Sequence, residues 1–436
     1  MAEPFISENP TPGRSGRAIG AIPGGVTAAR GFLAANCAAH IKYADRPDMA
    51  MIFSPHPCEV AGLFTSNMVK AAPVLWDREL VLSGSPAQAV VVNAGIANAA
   101  TGEAGLAICR QTAEAAAAAL DIPAPAVLIG STGVIGPVPP IDRIAAGIRE
   151  MAASLQPTPE AGTAASRAIM TTDTVNKEFA FEFTLPAADP AAGEVTVRLG
   201  GMSKGSGMIH PNMSTMLAYL TTDCAISRAL MQKALSEVVK DTFNMISVDG
   251  DTSTNDTLLL LSSGQAGNRP ITEEDEGYAL FREALFILCR ALAVKMAGDG
   301  EGATHLIEMR VVGADTKEHA RTLARSVVSS SLVKAMVYGK DANCGRILCA
   351  LGYAGVDFDP ARPELYLLAG ESASDGPICF YRDGSVQNFD EEKALALLSE
   401  KEVRFLCDMK AGTAEATAWG CDLTYDYVKI NGDYRS

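Results

Sequence analysis

The chain has 436 residues, of which 48% are apolar and 20% charged, and its net charge at pH 7 is −15. This composition is typical of a globular protein, and the length predicts two or three domains or one large two-part fold. The acidic balance argues against a nucleic-acid binder, because such proteins carry a basic binding surface. No window approaches the roughly 20 unbroken apolar residues of a membrane span, so no membrane partner is expected.

The cysteines and histidines indicate the redox environment of the protein and argue against a metal site. Ten cysteines are scattered along the chain without a CxxC pair, and the opening segment MAEPFISENPTPGRSG has no apolar signal core. We therefore expect reduced thiols and a cytoplasmic location. The five histidines lie far apart without HExxH spacing, so no metal is predicted.

The first half of the chain predicts strands alternating with helices. The segments AMIFS and GLFTSN predict two short strands, and AQAVVVNAG and PAVLIGSTGVIG predict two more. Residues 103–120 are rich in Ala with helical spacing, and residues 141–153 predict a second helix. The segment AASLQPTPEAGTAA is a predicted loop that leads into another helix.

The second half begins with a predicted hairpin at 178–200, where apolar and polar residues alternate around a Pro/Gly turn. An amphipathic helix is predicted in ISRALMQKALSEVVKDTF, a buried strand in TLLLLSSG and a strand in HLIEMRVVGA. Residues 274–297 predict the longest helix, residues 316–337 predict a further one, and the C-terminal part is rich in strand patterns. Mixed strands and helices indicate an α/β architecture with antiparallel pairs, and no linker marks a domain boundary.

Seven short segments contain more Gly, Asn, Thr and Ser than a core needs. Each borders a predicted strand or helix, and a tight turn is the structural alternative for each of them. Loops held by rigid elements are where catalytic groups tend to lie. The segments are 93–102, 130–136, 171–178, 204–215, 247–257, 298–304 and 340–347.

The chemistry of these segments points to a hydroxyl nucleophile. No Ser–His–Asp order, GxSxG elbow, GxGxxG dinucleotide loop or GxxxxGK[ST] phosphate loop occurs. A Thr can use its own α-amino group as the base, whose pKa is about 7.7–8.0, if the chain is cut before it. Ser214 and Thr215 stand side by side before the apolar run Met216–Leu220. The alternative is that this pair caps the start of a helix.

Four segments together resemble one known family. They are similar to the ornithine acetyltransferase family of arginine biosynthesis, also called glutamate N-acetyltransferase. The segments are KGSGMIHPNMSTMLAYLTTD, SVDGDTSTNDT, GDGEGAT and ATAWGCDLTYDYVKINGDYRS. The resemblance runs from about residue 20 to the C-terminus. It implies a layered αββα-type sandwich with mixed sheets and a smaller C-terminal α/β domain, distinct from but reminiscent of the Ntn hydrolases.

The resemblance also implies a self-cleaving precursor. The cut falls between Ser214 and Thr215 and gives chains 1–214 and 215–436, with Thr215 as the nucleophile. Family members usually have Ala where this chain has Ser214, so Ser214 stays open as an alternative nucleophile. By the same resemblance, the Thr132 hydroxyl and the Gly133 backbone N–H form the oxyanion hole.

Further site residues are carried over by resemblance. Lys204 suits the substrate α-carboxylate and Glu301 suits a side-chain ammonium. Thr171, with Thr172 as the alternative match, is a substrate contact, as are Thr215, Asn431 and Ser436. The implied substrates are N-acetylornithine and glutamate, no cofactor is implied, and acetyl-CoA stays open as a second acetyl donor. The implied assembly is a heterotetramer of two long and two short chains.

Two other classes stay open on the residues alone. A self-cleaving Thr/Ser amidase or aminopeptidase would pass the acyl group to water, and a non-catalytic binding protein would remain one chain. The chain also departs from the family pattern at positions that concern pocket shape and acceptor range. These are Met68, Ile96, Ala100 and Cys344.

Overall fold

The computed structural model describes residues 11–12, 18–210, 216–368 and 376–433. The chain divides into two compact units. The first comprises Met1–Gly205, Asn212–Lys240 and Thr252–Leu292, and the second comprises Ser206–Pro211, Asp241–Asp251 and Ala293–Ser436. Each predicted cleavage product, 1–214 and 215–436, therefore contributes residues to both units.

The elements follow the chain in mixed order. The strands are β1 (Thr11–Pro12), β2 (Ala18–Ile22), β3 (Leu33–Cys37), β4 (Met49–Phe64), β5 (Ala87–Ile96), β6 (Val127–Val134), β7 (Lys177–Pro186), β8 (Glu194–Lys204), β9 (Leu217–Thr222), β10 (Ile246–Ser247), β11 (Thr257–Ser262), β12 (Leu306–Ala314), β13 (Glu364–Leu368), β14 (Ile378–Arg382), β15 (Ser385–Val386), β16 (Glu402–Asp408) and β17 (Ala414–Cys421). The helices are α1 (Ala72–Ser83), α2 (Gly102–Leu120), α3 (Ile141–Ser154), α4 (Pro159–Ala168), α5 (Arg228–Val238), α6 (Glu276–Gly298), α7 (Lys317–Ser329), α8 (Ser331–Tyr338), α9 (Cys344–Gly352), α10 (Glu391–Leu398) and α11 (Tyr425–Gly432). Among the described residues, no helix is both long and apolar enough to cross a membrane.

The first unit contains a ten-stranded sheet in the order β1-β2-β7-β8-β9-β11-β4-β5-β6, with β3 also paired to β4. β4 joins its two halves, because its first residues pair with β3 and β5 and its last residues pair with β11. The register shifts between Phe53 and Cys58, where Pro55 and Pro57 cannot donate ladder hydrogen bonds. The two short strands predicted in AMIFS and GLFTSN are therefore one long strand.

The sheet forms two layers with a core between them. Ala89 and Val91 of β5 point away from this core and pack with residues of α2 and α3, whereas Val90 and Val92 point into it. That core also contains Tyr219 of β9 and residues of β11, so β5 and β6 face β9 and β11 across it. On the outer side of the second layer, α5 packs on β4, and α6 approaches Gly201 of β8. The predicted αββα sandwich is confirmed.

The second unit contains a seven-stranded sheet in the order β10-β17-β12-β16-β13-β14-β15. β10 with β17 and β12 with β16 are parallel, and the other pairs are antiparallel, so this sheet is mixed as predicted. One helix prediction here is wrong. Residues 316–337 form α7 and α8 because Ser330 is extended and its hydroxyl caps α8 by accepting from the Val333 N–H.

The segment after the Ser214–Thr215 pair is a strand. β9 is buried along its whole length and lies between β8 and β11. The interpretation of Ser214 and Thr215 as a helix cap is therefore wrong, because their own apolar run continues into a sheet. Sequence analysis also missed α1, α9, α10 and α11. The apolar residues of α1 show only weak helical spacing, whereas α9 begins inside the segment 340–347, which was interpreted as a loop.

Candidate active site

Lys204 brings three predicted site residues together in the first unit. Its ammonium donates to the Thr171 Oγ1 at 2.8 Å and to the Thr132 Oγ1 at 3.2 Å. Lys204 ends β8 and is only 8% exposed, so its charge depends on protein partners rather than on solvent. Of the two matches that the sequence left open, Thr171 is thus a direct contact of Lys204.

Asp173 supplies the negative charge of this cluster. Its carboxylate lies 2.7 Å from the Lys177 Nζ and 3.9 Å from the Lys204 Nζ, and it accepts the backbone N–H groups of Thr171 and Gly205. Burial acts to raise the pKa of Asp173, but the two ammonium groups outweigh it and hold that pKa well below its ordinary value. The ionised carboxylate therefore fixes the position of Lys204.

The sequence analysis missed both Asp173 and Lys177. The segment TTDTVNKE was singled out for its hydroxyls, and its charges look like ordinary solvated residues. Both side chains are completely buried. No local pattern shows this, because the burial comes from strands that lie far away in the sequence.

Thr132 and Gly133 occupy an irregular part of β6. The Thr132 oxygen accepts from Lys204, which leaves the hydroxyl proton to be donated to another group. The pairing of β5 and β6 shifts register at Gly95 and Ile96, opposite these residues. Such β-bulges redirect backbone groups next to active sites. The geometry is compatible with the predicted oxyanion hole.

Gly133 cannot be replaced without strain. Its φ is +127°, and an added Cβ would lie 2.2 Å from the Gly95 carbonyl carbon. We expect Gly133→Ala to lower the free energy of unfolding by more than the roughly 1–3 kcal/mol of backbone strain alone and to reduce the acyl transfer that the family resemblance implies.

The matched control is Gly136→Ala. Gly136 also has a positive φ, +111°, but an added Cβ would meet nothing within 4 Å. Urea unfolding and turnover of both variants separate the clash from the strain. Equal losses in the two variants would contradict the claim that Gly133 is fixed by its approach to Gly95.

Glu301 and Asn431 come together in the second unit. The Asn431 Nδ2 donates to the Glu301 Oε2 at 2.7 Å, and the Glu301 backbone N–H donates to the Ser206 carbonyl at 2.9 Å. A Cβ on Gly207 would lie 2.3 Å from the Glu301 carboxylate. This glycine therefore lets the acidic group pack against the backbone, where Glu301 is only 6% exposed.

Asp249 and Tyr427 extend this acidic cluster and were not predicted. The Tyr427 hydroxyl donates to the Asp249 Oδ2 at 3.3 Å. Burial, followed by the charges of Asp249 and Glu301, raises the pKa of Tyr427, which stays a neutral donor. The cluster is rich in carboxylates, and such an environment suits a cationic group. Ser436, the remaining predicted contact, lies outside the described residues, as do Ser214 and Thr215.

His210 precedes the predicted cleavage segment and is held neutral. Arg325 has only donors, so the His210 Nε2 at 3.1 Å must accept, and the Nδ1 then donates to the Ser247 Oγ. Burial, with the charges of Arg325 and Lys334, lowers the pKa of His210 to about 4.

Acid is expected to destabilise the protein through His210. The folded-state pKa lies below the unfolded value of about 6.5, so its contribution is complete above pH 6.5 and is lost as the pH falls toward 4. His210→Asn should flatten the fall in unfolding midpoint across that window. The exposed His56→Asn serves as the control. A slope unchanged by His210→Asn would exclude this residue as the source.

The four residues that depart from the family pattern lie in different parts of the structure. Met68 is 90% exposed, Ile96 packs at the edge of a core, and Cys344 is buried at the start of α9. Ala100 adopts a positive φ of 57°. None of them touches Lys204 or Glu301 in the contacts described above.

The αββα sandwich and the lysine-held hydroxyls are compatible with an acyl-transferring enzyme, and comparison with known proteins decides the class. The ArgJ family model matches residues 33–436. The arginine biosynthesis bifunctional protein ArgJ of Symbiobacterium thermophilum is 50% identical over 417 residues, covering 95% of this chain and 99% of that protein. The ArgJ protein of Thermotoga neapolitana is 47% identical over 409 residues, covering 93% and 99%.

A solved structure is also similar. The ornithine acetyltransferase of Mycobacterium tuberculosis, crystallised with ornithine, is 40% identical; the match covers 44% of this chain and 98% of that chain, with a TM-score of 0.39. The chain belongs to the ArgJ family, on the family match and the near full-length relatives. The predicted family and the predicted acyltransferase of arginine biosynthesis are thereby confirmed.

Proposed function

We propose that the chain transfers an acetyl group from N2-acetyl-L-ornithine to L-glutamate through an acetyl ester on Thr215. The observation that carries this proposal is the buried contact of Lys204 with the Thr132 and Thr171 hydroxyls. It joins the proposed oxyanion donor and the proposed carboxylate-binding cation in one cluster. Self-cleavage between Ser214 and Thr215 precedes catalysis, because Thr215 needs a free α-amino group as its base.

The reaction proceeds in two half-reactions. The Thr215 amine takes the hydroxyl proton, and the Oγ attacks the acetyl carbonyl of N-acetylornithine. Thr132 and Gly133 donate to the oxyanion of the tetrahedral intermediate. The C–N bond then breaks, ornithine leaves with the proton, and an acetyl-Thr215 ester remains. The glutamate amine attacks this ester through a second tetrahedral intermediate, and N-acetylglutamate leaves.

The roles in substrate recognition are carried over from the family resemblance. Lys204 binds the α-carboxylate shared by ornithine and glutamate, with Thr171 beside it. Glu301 binds the side-chain ammonium of ornithine, assisted by Asn431 and Ser436. No cofactor takes part in these steps. Acetyl-CoA as a second acetyl donor, a cytoplasmic location and a heterotetramer of two long and two short chains complete the proposal.

Mass spectrometry of the purified protein tests the proposal most directly. A fragment that begins at residue 215 is expected, with a pair of bands replacing the 45.6 kDa chain on a denaturing gel. Glutamate-dependent release of ornithine should then exceed hydrolysis. Equal release without glutamate would instead indicate the amidase class, and acetyl-CoA as sole donor tests the second activity.

A single uncut chain without activity would support a non-catalytic binding protein. A single uncut chain that transfers acetyl at full rate would overturn the role of the α-amino group. These outcomes are separable because the gel reports cleavage and the assay reports transfer.

A further inference from the structure

A cavity of about 900 Å³ opens in the first unit between β4, α1 and α5. Its lining residues come from the end of β4, from α1 with the turn before it, and from the first turns of α5. The volume lies within the roughly 300–1,000 Å³ that is usual for small-molecule sites. The cavity is therefore large enough for a ligand well beyond the size of an inorganic ion.

The charge of this cavity differs from that of the whole chain. Lys70, Arg78 and Arg228 line it, and none of its described lining residues is acidic. The chain as a whole carries a net charge of −15, and one turn further along α5 the ammonium of Lys233 is paired with Glu274. Three cations without a carboxylate make a site for an anion that carries more than one negative charge.

The Arg228 guanidinium is held in place without using its donors. It is half-buried and packs over Gly84, which ends α1 with a positive φ of 80° and has no Cβ to collide with the Arg228 Nη1. The negative end of α1 favours a cation at this point. Among the described residues, however, no carbonyl or carboxylate accepts a hydrogen bond from this guanidinium. Its five N–H donors are therefore available to a ligand.

The other positive groups of the cavity also keep donors available. Arg78 is exposed and makes no hydrogen bond or ion pair within the described part of the chain. Lys70 donates to the Asn67 carbonyl at 2.7 Å, which uses one of its three donors. Arg228 is also the first residue of α5, and the Ser227 side chain makes no cap hydrogen bond there. The positive end of this helix thus adds to the attraction for an anion.

The remaining wall of the cavity is apolar. Leu63 and Phe64 of β4 and Leu82 of α1 line it together with the cations. A guanidinium matches the oxygens of a phosphate group in a two-bond contact, and an aromatic ring can stack on a nucleic-acid base. A ligand with phosphate groups and a base satisfies both kinds of wall.

We propose that this cavity binds a nucleotide, with Lys70, Arg78 and Arg228 on the phosphate groups and Phe64 against the base. The inference goes beyond the proposed acetyl transfer and depends neither on Thr215 nor on self-cleavage. Two sources share this chemistry. One is the nucleotide end of coenzyme A, and the other is a free nucleotide such as ATP.

The cavity wall is connected to the strand that carries Thr132. Thr65 lines the cavity, and its hydroxyl donates to the Ser253 carbonyl at 2.7 Å. Asn255, two residues further along, donates to the carbonyl of Ser131 in β6 at 2.8 Å. One short segment therefore joins the proposed nucleotide site to β6, which is the reason to test coenzyme A before other nucleotides.

Calorimetric titration of the purified full-length protein at low salt tests the proposal. The probes are coenzyme A, ATP and inorganic pyrophosphate. Arg78→Met and Arg228→Met should each weaken nucleotide binding roughly 10-fold, because each removes a charge-assisted contact. Added salt should weaken binding as well. The matched control is Arg282→Met, at an exposed ion pair with Glu237, which should bind as the wild type does.

A further variant tests the aromatic wall. Phe64→Leu should weaken nucleotide binding roughly 10-fold and leave pyrophosphate binding unchanged, because pyrophosphate has no base to stack. Circular dichroism and the unfolding midpoint show whether each variant folds. Arg228→Lys keeps the positive charge and should recover part of the affinity, so the test does not depend on one substitution.

The outcomes separate the source of the ligand from the existence of the site. Binding of coenzyme A alone assigns the site to an acyl carrier, and equally tight binding of ATP assigns it to a free nucleotide; both support the proposal. Absence of binding by both, or affinity unchanged in Arg78→Met and Arg228→Met, would overturn it. Pyrophosphate that binds as tightly as the nucleotides would overturn the ligand class. If no probe binds and Arg228→Met changes the molecular mass in light scattering, the cavity is an interface between copies of the chain instead.

Discussion

Thr215→Ala is expected to remain a single 45.6 kDa chain and to show no acetyl transfer above background. The substitution removes the only atom proposed to attack the Ser214 carbonyl and, later, the acetyl carbonyl. Cleavage and transfer should therefore fail together. A denaturing gel and an assay of ornithine release from N-acetylornithine in the presence of glutamate measure the two losses on one preparation.

Two companion variants fix the register of the nucleophile. Ser214→Ala should still be cut and active, because it restores the residue that the family pattern usually has there. Thr215→Ser keeps a hydroxyl and should retain both steps at reduced rate. If Ser214→Ala blocks cleavage while Thr215→Ala matures, Ser214 is the nucleophile and the proposed bond is displaced by one residue.

The sequence was a good guide to elements whose signal is local. The β7–β8 hairpin, α2, α3 and the strand of TLLLLSSG lie where alternation or helical spacing predicts them. Interruptions within strands and helices were harder to predict. The prolines in β4 divide a hydrogen-bond ladder without ending the strand, and Ser330 ends one helix and caps the next.

The residues of the candidate site show the same contrast between local signals and long-range contacts. Thr132, Lys204 and Glu301 were predicted as site residues from their resemblance to family motifs. The contact of Lys204 with Thr132 could not be foreseen, because it joins β6 and β8, which lie in different layers of the sandwich. Asp173 was missed for a related reason: an aspartate shows its burial and its partners only after distant strands have packed around it.

Lys204 is where the second large effect is expected. Lys204→Met keeps an unbranched apolar stem but removes the ammonium that holds the Thr132 and Thr171 hydroxyls. Loss of oriented donors to an oxyanion typically costs about 10²–10³-fold in rate, and the proposed carboxylate contact is lost as well. We therefore expect kcat/KM for N-acetylornithine to fall at least on the order of 10²-fold, or roughly 3 kcal/mol of transition-state stabilisation.

The pairing of Asp173 determines whether this loss is catalytic or structural. In Lys204→Met, Asp173 keeps its 2.7 Å contact with Lys177, so its carboxylate is not left alone. The complementary Lys177→Met removes that closer contact but leaves Lys204 on both hydroxyls. Since breaking a buried ion pair destabilises by about 3–5 kcal/mol, Lys177→Met should lower the unfolding midpoint more and kcat/KM less.

The contrast between the two lysines is the decisive comparison. Both substitutions remove one positive charge from the same carboxylate, so a purely electrostatic support of the fold predicts that Lys177→Met is worse in every measurement. If Lys204 acts by orienting the Thr132 hydroxyl, Lys177→Met should be the less stable variant and Lys204→Met the less active one. Lys233→Met, at an exposed ion pair with Glu274, should change neither quantity. Equal turnover in the Lys177 and Lys204 variants would show that Lys204 acts through the fold rather than through the hydroxyls it contacts.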